Sequence, residues 1–245
     1  LQTLTQSLES ANSLLGNIGF HSEPLDKSQL VGLIYKHLNP KRGLDISQPI
    51  ITDRSLELEP DSPRSQLIFS DLILDQEDFV LDQIRTRVLS LKTLPESTHA
   101  GMMNQFLSLP FKYELMFNFN IPDQTKEMNK LQSNRRMAHS LTANNGGRVS
   151  DLEGESRLSQ TTELIREIIE TGQKIFEAEL LIILREENTA LVQKRLSLNT
   201  KEVLSKFKTL SGAEGIHETV SSWKVFSSSL PAAPIGLIRK KKMKT

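Results

Sequence analysis

The one run of like charges in this 245-residue sequence is basic and lies at its C-terminal end. Its members are Arg239, Lys240, Lys241, Lys242 and Lys244. Such a run can attract an anionic lipid surface, at roughly 1 kcal/mol per basic residue close to the membrane. It can also contact nucleic-acid phosphates, or it can be a solvated linker. We take these five residues as candidate contacts for a partner, lipid or nucleic acid.

A second group that could do chemistry is a cluster of five carboxylates within twelve residues of sequence: Asp71, Asp75, Glu77, Asp78 and Asp82. Paired carboxylates can transfer protons, and converging carboxylate oxygens can bind calcium. The spacing fits no EF-hand loop, and the cluster surrounds a predicted hairpin, whose tip is normally solvated. We therefore predict a charged, solvated hairpin tip and no acid–base or metal site.

The remaining residue types indicate no catalytic centre. A phosphate-binding loop needs G-x-x-x-x-G-K-[ST], yet no Gly-Lys pair occurs, and Gly146–Gly147 reads as a turn between helices. No G-x-S-x-G nucleophile motif occurs either. The absence of cysteine excludes disulfides, thiol catalysis and cysteine-ligated zinc. The five histidines are His21, His37, His99, His139 and His217. No two of them are three or four residues apart, so no metal site is predicted.

The composition also limits what the chain can bind. Thirty basic and thirty acidic residues cancel, which argues against a general electrostatic hold on nucleic acid. A local alternative is a helix around residues 126–136, whose basic members are Lys126, Lys130, Arg135 and Arg136. No aromatic residues alternate with these charges, so a solvated helix face is favoured. No signal peptide is evident, and no run approaches the ~18 apolar residues of a membrane span.

The elements that must position these groups begin with two helices. Apolar residues recur at helical spacing over residues 1–18, up to Gly19. A second helix follows Pro24, where Asp26 and Gln29 have the spacing of a capping box. Residues 41–63 then read as a long connection.

A change to period two marks the next region as strands. "LIFSDLIL" and "FVLDQIRTRVLSL" read as two strands joined by a hairpin at "DQED". "STHAGMMNQFLSL" reads as a short helix. "KYELMFNFN" alternates as a strand with one buried face, which carries Tyr113, Leu115, Phe117 and Phe119.

The last part alternates long helices with short strands. Helices are predicted at about 123–143 and 153–176, then a central strand at "AELLIILRE", and then a helix capped by Asn188. The inner face of this last helix is predicted to carry Val192, Leu196, Val203, Leu204 and Phe207. "GAEGIHET" predicts a short strand and "VSSWKVFSSSL" a final helix. The predicted fold class is α+β: an antiparallel or mixed sheet of split βαβ (ferredoxin-like) type, with long helical insertions and an N-terminal helical pair.

The same pattern predicts three regions. Residues 1–62 hold the N-terminal helices and their connection, residues 63–230 form an α+β domain, and residues 231–245 form a basic linker.

From about residue 20 onward, the order of segments resembles the N-terminal region of the VirB/TrbE/CagE/TraC family of type IV secretion and conjugation ATPases. The stretches that carry the resemblance include "PLDKSQLVGLIYKHLNPKRG" and "VLSLKTLPESTHAGMMNQFLSLPFKYELMFNFNIPD". "LQSNRRMAHS", "LIREIIETGQKIFEAELLIILREENTALVQ" and "WKVFSSSLPAAP" follow in the same order. Each stretch is weakly specific alone, and it is their order over some 220 residues that supports the resemblance.

The resemblance implies a docking and assembly domain without catalytic residues of its own. In that family a P-loop motor domain, which binds ATP and magnesium, follows the segment resembling "SLPAAPIGLIRKKKMKT". We therefore expect a fragment that stops before the motor, with no cofactor bound by these residues. The family further implies a cytoplasmic location peripheral to the bacterial inner membrane. The implied partners are other secretion subunits, including an inner-membrane protein, with self-association of the full-length protein. Direct nucleic-acid contact through the basic run and the 126–136 helix remains the alternative.

Overall fold

A computed structural model describes residues 2–17, 19–50, 67–99, 101–143, 152–231, 233 and 236–244. Within them the helices are α1 (Gln2–Asn17), α2 (Lys27–Leu38), α3 (Arg42–Asp45), α4 (Asn104–Leu107), α5 (Gln124–Ala143), α6 (Leu152–Thr171), α7 (Val192–Lys208) and α8 (Ser222–Ser229). The strands are β1 (Leu72–Leu74), β2 (Phe79–Leu81), β3 (Ile84–Thr93), β4 (Tyr113–Asn120), β5 (Ile175–Glu187), β6 (Glu214–Glu218) and β7 (Lys241–Lys244). The predicted turn at Gly146–Gly147 and most of the 41–63 connection lie outside the described residues.

The chain divides into two compact units. The first comprises Leu1–Asp75, Phe79–Thr86 and Glu186–Thr189, and the second comprises Gln76–Asp78, Arg87–Arg185 and Ala190–Thr245. The boundary differs from the predicted regions, since the first hairpin strands belong to the N-terminal unit and the basic C-terminal segment belongs to the second. Among the helices of the described residues, none combines the length and the apolar composition that a membrane span requires.

In the first unit the two predicted N-terminal helices are confirmed. α1 ends at Asn17, and Gly19 follows with a φ of +85°, a backbone conformation that glycine adopts without steric cost. The capping box at α2 is present: the Gln29 backbone N–H donates to Asp26 Oδ1 at 2.7 Å, and the Asp26 N–H donates to Gln29 Oε1 at 2.8 Å. These reciprocal bonds satisfy two donors that a helix start leaves unpaired.

The predicted hairpin at "DQED" is confirmed, but the run that follows it is two strands. β1 pairs antiparallel with β2, with Leu74 opposite Phe79. β2 and β3 are then separated by a two-residue turn at Asp82 and Gln83, whose φ values are +53° and +64°. Two positive φ values are typical of the turn that joins closely paired strands. Because Asp-Gln lacks the usual glycine, the sequence did not indicate this turn.

The strands hydrogen-bond in the order β1-β2-β3-β5-β4, with β6 on β3 and β7 on β5, and the described pairings are antiparallel. The predicted α+β class is confirmed, and of the two sheet types the antiparallel one is present. The split βαβ arrangement is not confirmed by these pairings. The central position predicted for "AELLIILRE" is confirmed, since β5 lies between β3 and β4.

The core of the second unit lies between one face of the sheet and α7. Leu180, Ile182 and Leu184 of β5 belong to this core, and so do the inner residues of α7. Phe207 of α7 is fully buried, and its ring lies 5.0 Å from that of Phe106. Gly215 of β6 leaves room for the Phe207 ring, because a Cβ there would lie 2.3 Å from Phe207 Cδ2. The inner face predicted for α7 is confirmed.

Two predicted helix ends are wrong. α6 ends at Thr171, because Gly172 takes a φ of +67°, and Ile175 and Phe176 then begin β5. Asn188 does not cap α7, which begins at Val192. Its side-chain oxygen instead accepts from Arg85 Nε at 3.2 Å.

β4 is confirmed as a strand, but its predicted buried face is only half covered. Tyr113 and Leu115 pack against the core, whereas Phe117 is 56% and Phe119 66% exposed. β4 ends the strand order, and three of its last four residues, Phe117, Phe119 and Asn120, are exposed.

Candidate functional site

The basic segment lies on the sheet and contacts carboxylates. Arg239 donates from Nε to Glu218 Oε1 and from Nη2 to Glu218 Oε2, both at 2.6 Å. Its backbone N–H donates to Glu179 Oε1 at 2.7 Å. Glu179 and Glu218 are each only 1% exposed. Two buried anions are therefore satisfied by a single residue of the C-terminal segment.

The rest of the segment continues this pairing. Lys240 Nζ lies 3.0 Å from Oε1 of Glu177, which is 6% exposed, and Lys242 forms an ion pair with Glu127 of α5. Lys241 and Lys244 belong to β7, which pairs with the start of β5. The predicted linker is thus a strand over residues 241–244, because buried carboxylates and an open strand edge meet there.

We call Glu177, Glu179 and Glu218 the acidic row. Glu177 and Glu179 are two residues apart on β5 and so lie on one face of the sheet. Asn120 donates to Glu177 Oε2 and Asn118 to Glu179 Oε2, both at 3.2 Å. Ser90 donates to Glu218 Oε1. Neighbouring strands therefore hold these carboxylates in position independently of β7.

The electrostatics follow from this arrangement. Burial alone would raise the pKa of Glu177, but hydrogen bonds from Lys240 and Asn120, with the charges of Lys240 and Lys242, lower it. The hydrogen bond to Glu218 raises the pKa of Arg239, against the opposing effect of burial. Two carboxylates of the acidic row thus have a cationic partner in the C-terminal segment: Arg239 for Glu218 and Lys240 for Glu177.

Sequence reasoning missed the acidic row. It noted the cations but treated the glutamates as ordinary residues of a strand. A signal was available in "FEAELLIILRE", since two glutamates at period two inside an otherwise apolar strand must face one side and be paired if that side is buried.

The predicted solvated hairpin tip is wrong for Asp78, which is fully buried in the second unit. Arg87 donates to Asp78 through Nε at 2.6 Å and through Nη2 at 3.0 Å. The same guanidinium reaches Glu77, Gln193 and Thr200 at 3.1–3.3 Å. Asp78 is buried together with Arg87, its partner. The spacing of residues along the hairpin does not indicate this contact.

Asp82, another member of the predicted cluster, has a structural role within the first unit. Oδ2 accepts from the backbone N–H groups of Lys41, at 2.8 Å, and Arg42, while Oδ1 accepts from Ser70 at 2.9 Å. Asp75 pairs with Arg85 at 2.8 Å. Asp75 and Asp82 are therefore held by separate partners.

Acid is expected to weaken the fold through Asp78. Burial raises its pKa, but hydrogen bonds and charges from His217 and Arg87 outweigh this and lower it from 3.8 to about 2. A lowered folded-state pKa gives stability that is present above about pH 4 and lost as the pH falls toward 2, about 2 kcal/mol in all. The check is the free energy of unfolding between pH 5 and pH 2. Asp78→Asn should flatten this part of the profile, and a variant with the wild-type slope would contradict the assignment.

Of the basic residues predicted on the 126–136 helix, Lys126, Lys130 and Arg136 are exposed, while Arg135 is half-buried. They belong to α5, where Glu127 pairs with Lys242. A solvated helix face is consistent with these positions.

A comparison with protein families tests the resemblance directly. The family model described as "TraC protein" matches residues 1–233 of the chain. This chain belongs to the TraC family of type IV secretion proteins. A comparison with curated proteins found no match. The acidic row of this TraC-family chain lies within the matched residues, and the basic segment lies beyond them.

Proposed function

We propose that this TraC-family chain is the non-catalytic docking and assembly domain of a type IV secretion ATPase that powers conjugative DNA or protein transfer and pilus biogenesis. Family membership supports the secretion role. ATP and magnesium would bind to a motor domain of the parent protein, since no phosphate-loop motif occurs in these residues. The chain would act in the cytoplasm, held at the inner membrane by an integral subunit.

The observation that carries the docking role is the unprotected edge of β4. Edge strands are normally protected by prolines, lysines or bulges, which prevent pairing with other chains. β4 has none of these over Tyr113–Asn120. Its one charged residue, Glu114, is neutralised by Arg185 at 3.1 Å. Among the residues that the structure describes, no strand pairs with the outer edge of this eight-residue, neutral strand.

The side chains at this edge add an apolar surface. Phe117 and Phe119 are exposed neighbours with ring centroids 6.3 Å apart, and Ile121 beyond them is 66% exposed. Aromatic residues are enriched at the centres of protein interfaces. Strand addition takes affinity from main-chain hydrogen bonds and specificity from alternate side chains. The partner that fits is an uncharged extended segment with alternating apolar residues, supplied by another secretion subunit.

The test is reconstitution with the inner-membrane subunits of the same secretion system. Replacing Phe117 and Phe119 together by serine should reduce co-purification of those subunits at least tenfold, because both aromatic anchors are lost. Leu198→Ser is the matched control, since Leu198 is 58% exposed on α7, and it should leave co-purification unchanged.

Two outcomes would contradict the proposal. One is equal co-purification by the double variant and the control. The other is ATP hydrolysis by the purified chain that persists after removal of contaminating ATPases.

A further inference from the structure

We propose that the acidic row is a binding site for an extended basic segment led by arginine, and that residues 239–244 are its exchangeable occupant. This inference goes beyond the docking role and involves a different part of the sheet from the β4 edge. In the structure the chain's own segment fills the site. When that segment leaves, the site takes an arginine-led basic strand from another polypeptide.

The first argument is the specificity of the arginine position. Glu218 receives two parallel hydrogen bonds from Arg239, and a planar guanidinium makes such a bidentate contact where lysine cannot. The backbone N–H of Arg239 itself donates to Glu179 Oε1 at 2.7 Å. The site thus requires an arginine at one position of an extended chain, followed by a lysine beside Glu177.

The second argument is the contrast in burial between the site and its occupant. Glu179 and Glu218 are buried, whereas the side chains of Arg239, Lys240 and Lys242 are 40–49% exposed. The carboxylates are also hydrogen-bonded by Asn118, Asn120 and Ser90, which stay when β7 leaves. The receptor is therefore preorganised and the ligand lies at its surface.

The third argument is that an empty site is unfavourable. Removing residues 239–244 would take the bidentate guanidinium contact from Glu218 and a backbone N–H donor from Glu179, and the loss of hydrogen bonds to charged groups is unfavourable. Exchange of one basic strand for another avoids this cost. The described polar contacts of the segment are made by Arg239, Lys240 and Lys242 and by the β7 backbone, so a peptide of six residues contains all the groups that make them.

Peptide exchange on the intact chain tests this inference. The probe is the six-residue peptide RKKKMK with blocked ends, and the control is KKRKMK, which has the same charge but displaced arginine. Hydrogen exchange followed by mass spectrometry reports protection of the chain's own residues 239–244. Excess probe should remove that protection while that of β4 is unchanged, and the control peptide should have at least tenfold less effect.

A variant with a weakened occupant gives a second measurement. Arg239→Gln should bind fluorescent RKKKMK at least tenfold more tightly than the wild type does, because its own segment competes poorly. Added Glu218→Gln should abolish this gain, and the affinity should fall as salt rises. No displacement by the probe in the wild type, or equal displacement by both peptides, would overturn the proposal even if Arg239→Gln fails to fold. Neither result depends on Phe117 or Phe119, so a failure here is distinguishable from failure of the docking role.

Discussion

Replacing Arg87 by alanine is expected to lower the free energy of unfolding by about 3–5 kcal/mol, because it leaves Asp78 as an unpaired buried charge. Both partners are at most 2% exposed, and their shortest contact is 2.6 Å. Chemical denaturation monitored by circular dichroism would measure the change. Asp78→Ala should also lower the free energy of unfolding, since it removes the buried carboxylate that pairs with the Arg87 guanidinium.

Lys92→Ala is the matched control for this prediction. Lys92 belongs to the same strand and pairs with Glu214 at 3.1 Å, but both side chains are more than half exposed. Solvent screens such a pair, so its loss should change stability far less. Equal changes for Arg87→Ala and Lys92→Ala would show that burial of the Arg87–Asp78 pair does not determine stability.

Replacing Phe207 by alanine is expected to cost about 3–5 kcal/mol, the usual range for removing a buried aromatic side chain. Phe207 belongs to the inner face of α7 and is completely buried, with its ring against that of Phe106. The same contact can also be disrupted by overpacking, through a larger residue at Gly215. Gly215→Ala would put a methyl group 2.3 Å from the Phe207 ring, and we expect it to cost about 1–3 kcal/mol.

The two substitutions at this contact can be tested against each other by thermal denaturation. In the Phe207→Leu background, Gly215→Ala should be less destabilising than in the wild type, since the smaller side chain leaves room. Gly236→Ala is a control, because no atom of the described residues lies within 4 Å of a Cβ at that position. An unchanged cost of Gly215→Ala in the Phe207→Leu background would refute the steric explanation.

Local patterns predicted much of the fold. The capping box at Asp26 and the apolar stripe of α7 depend on residues within a few positions of each other, and both are confirmed. β5 was predicted because a short continuous apolar run fits a strand covered on both faces. Family membership was inferred from the order of segments, a property of the whole sequence.

The candidate site was only half predictable, because its contacts join distant residues. The cations of the C-terminal segment form a visible run, but Glu179 lies 60 positions from Arg239, and Thr200 lies 113 from Arg87. Nothing in a local window indicates such pairs. The turn at Asp82 was missed for a different reason, since positive φ at a non-glycine residue depends on the strands it joins.

The two longest helices of the second unit, α5 and α6, pack against each other and are joined to the sheet at the start of β5. Each helix has 20 residues, so each is about 30 Å long, and the two pack side by side. At the base, the Gln124 side chain bonds both the N–H and the carbonyl of Ile175, at 2.8 and 2.9 Å. A tilt of ~10° about that amide would move the far end of α5 by ~5 Å. Any rotation of α5 about its first turn would therefore cause its largest movement at the other end of the helix.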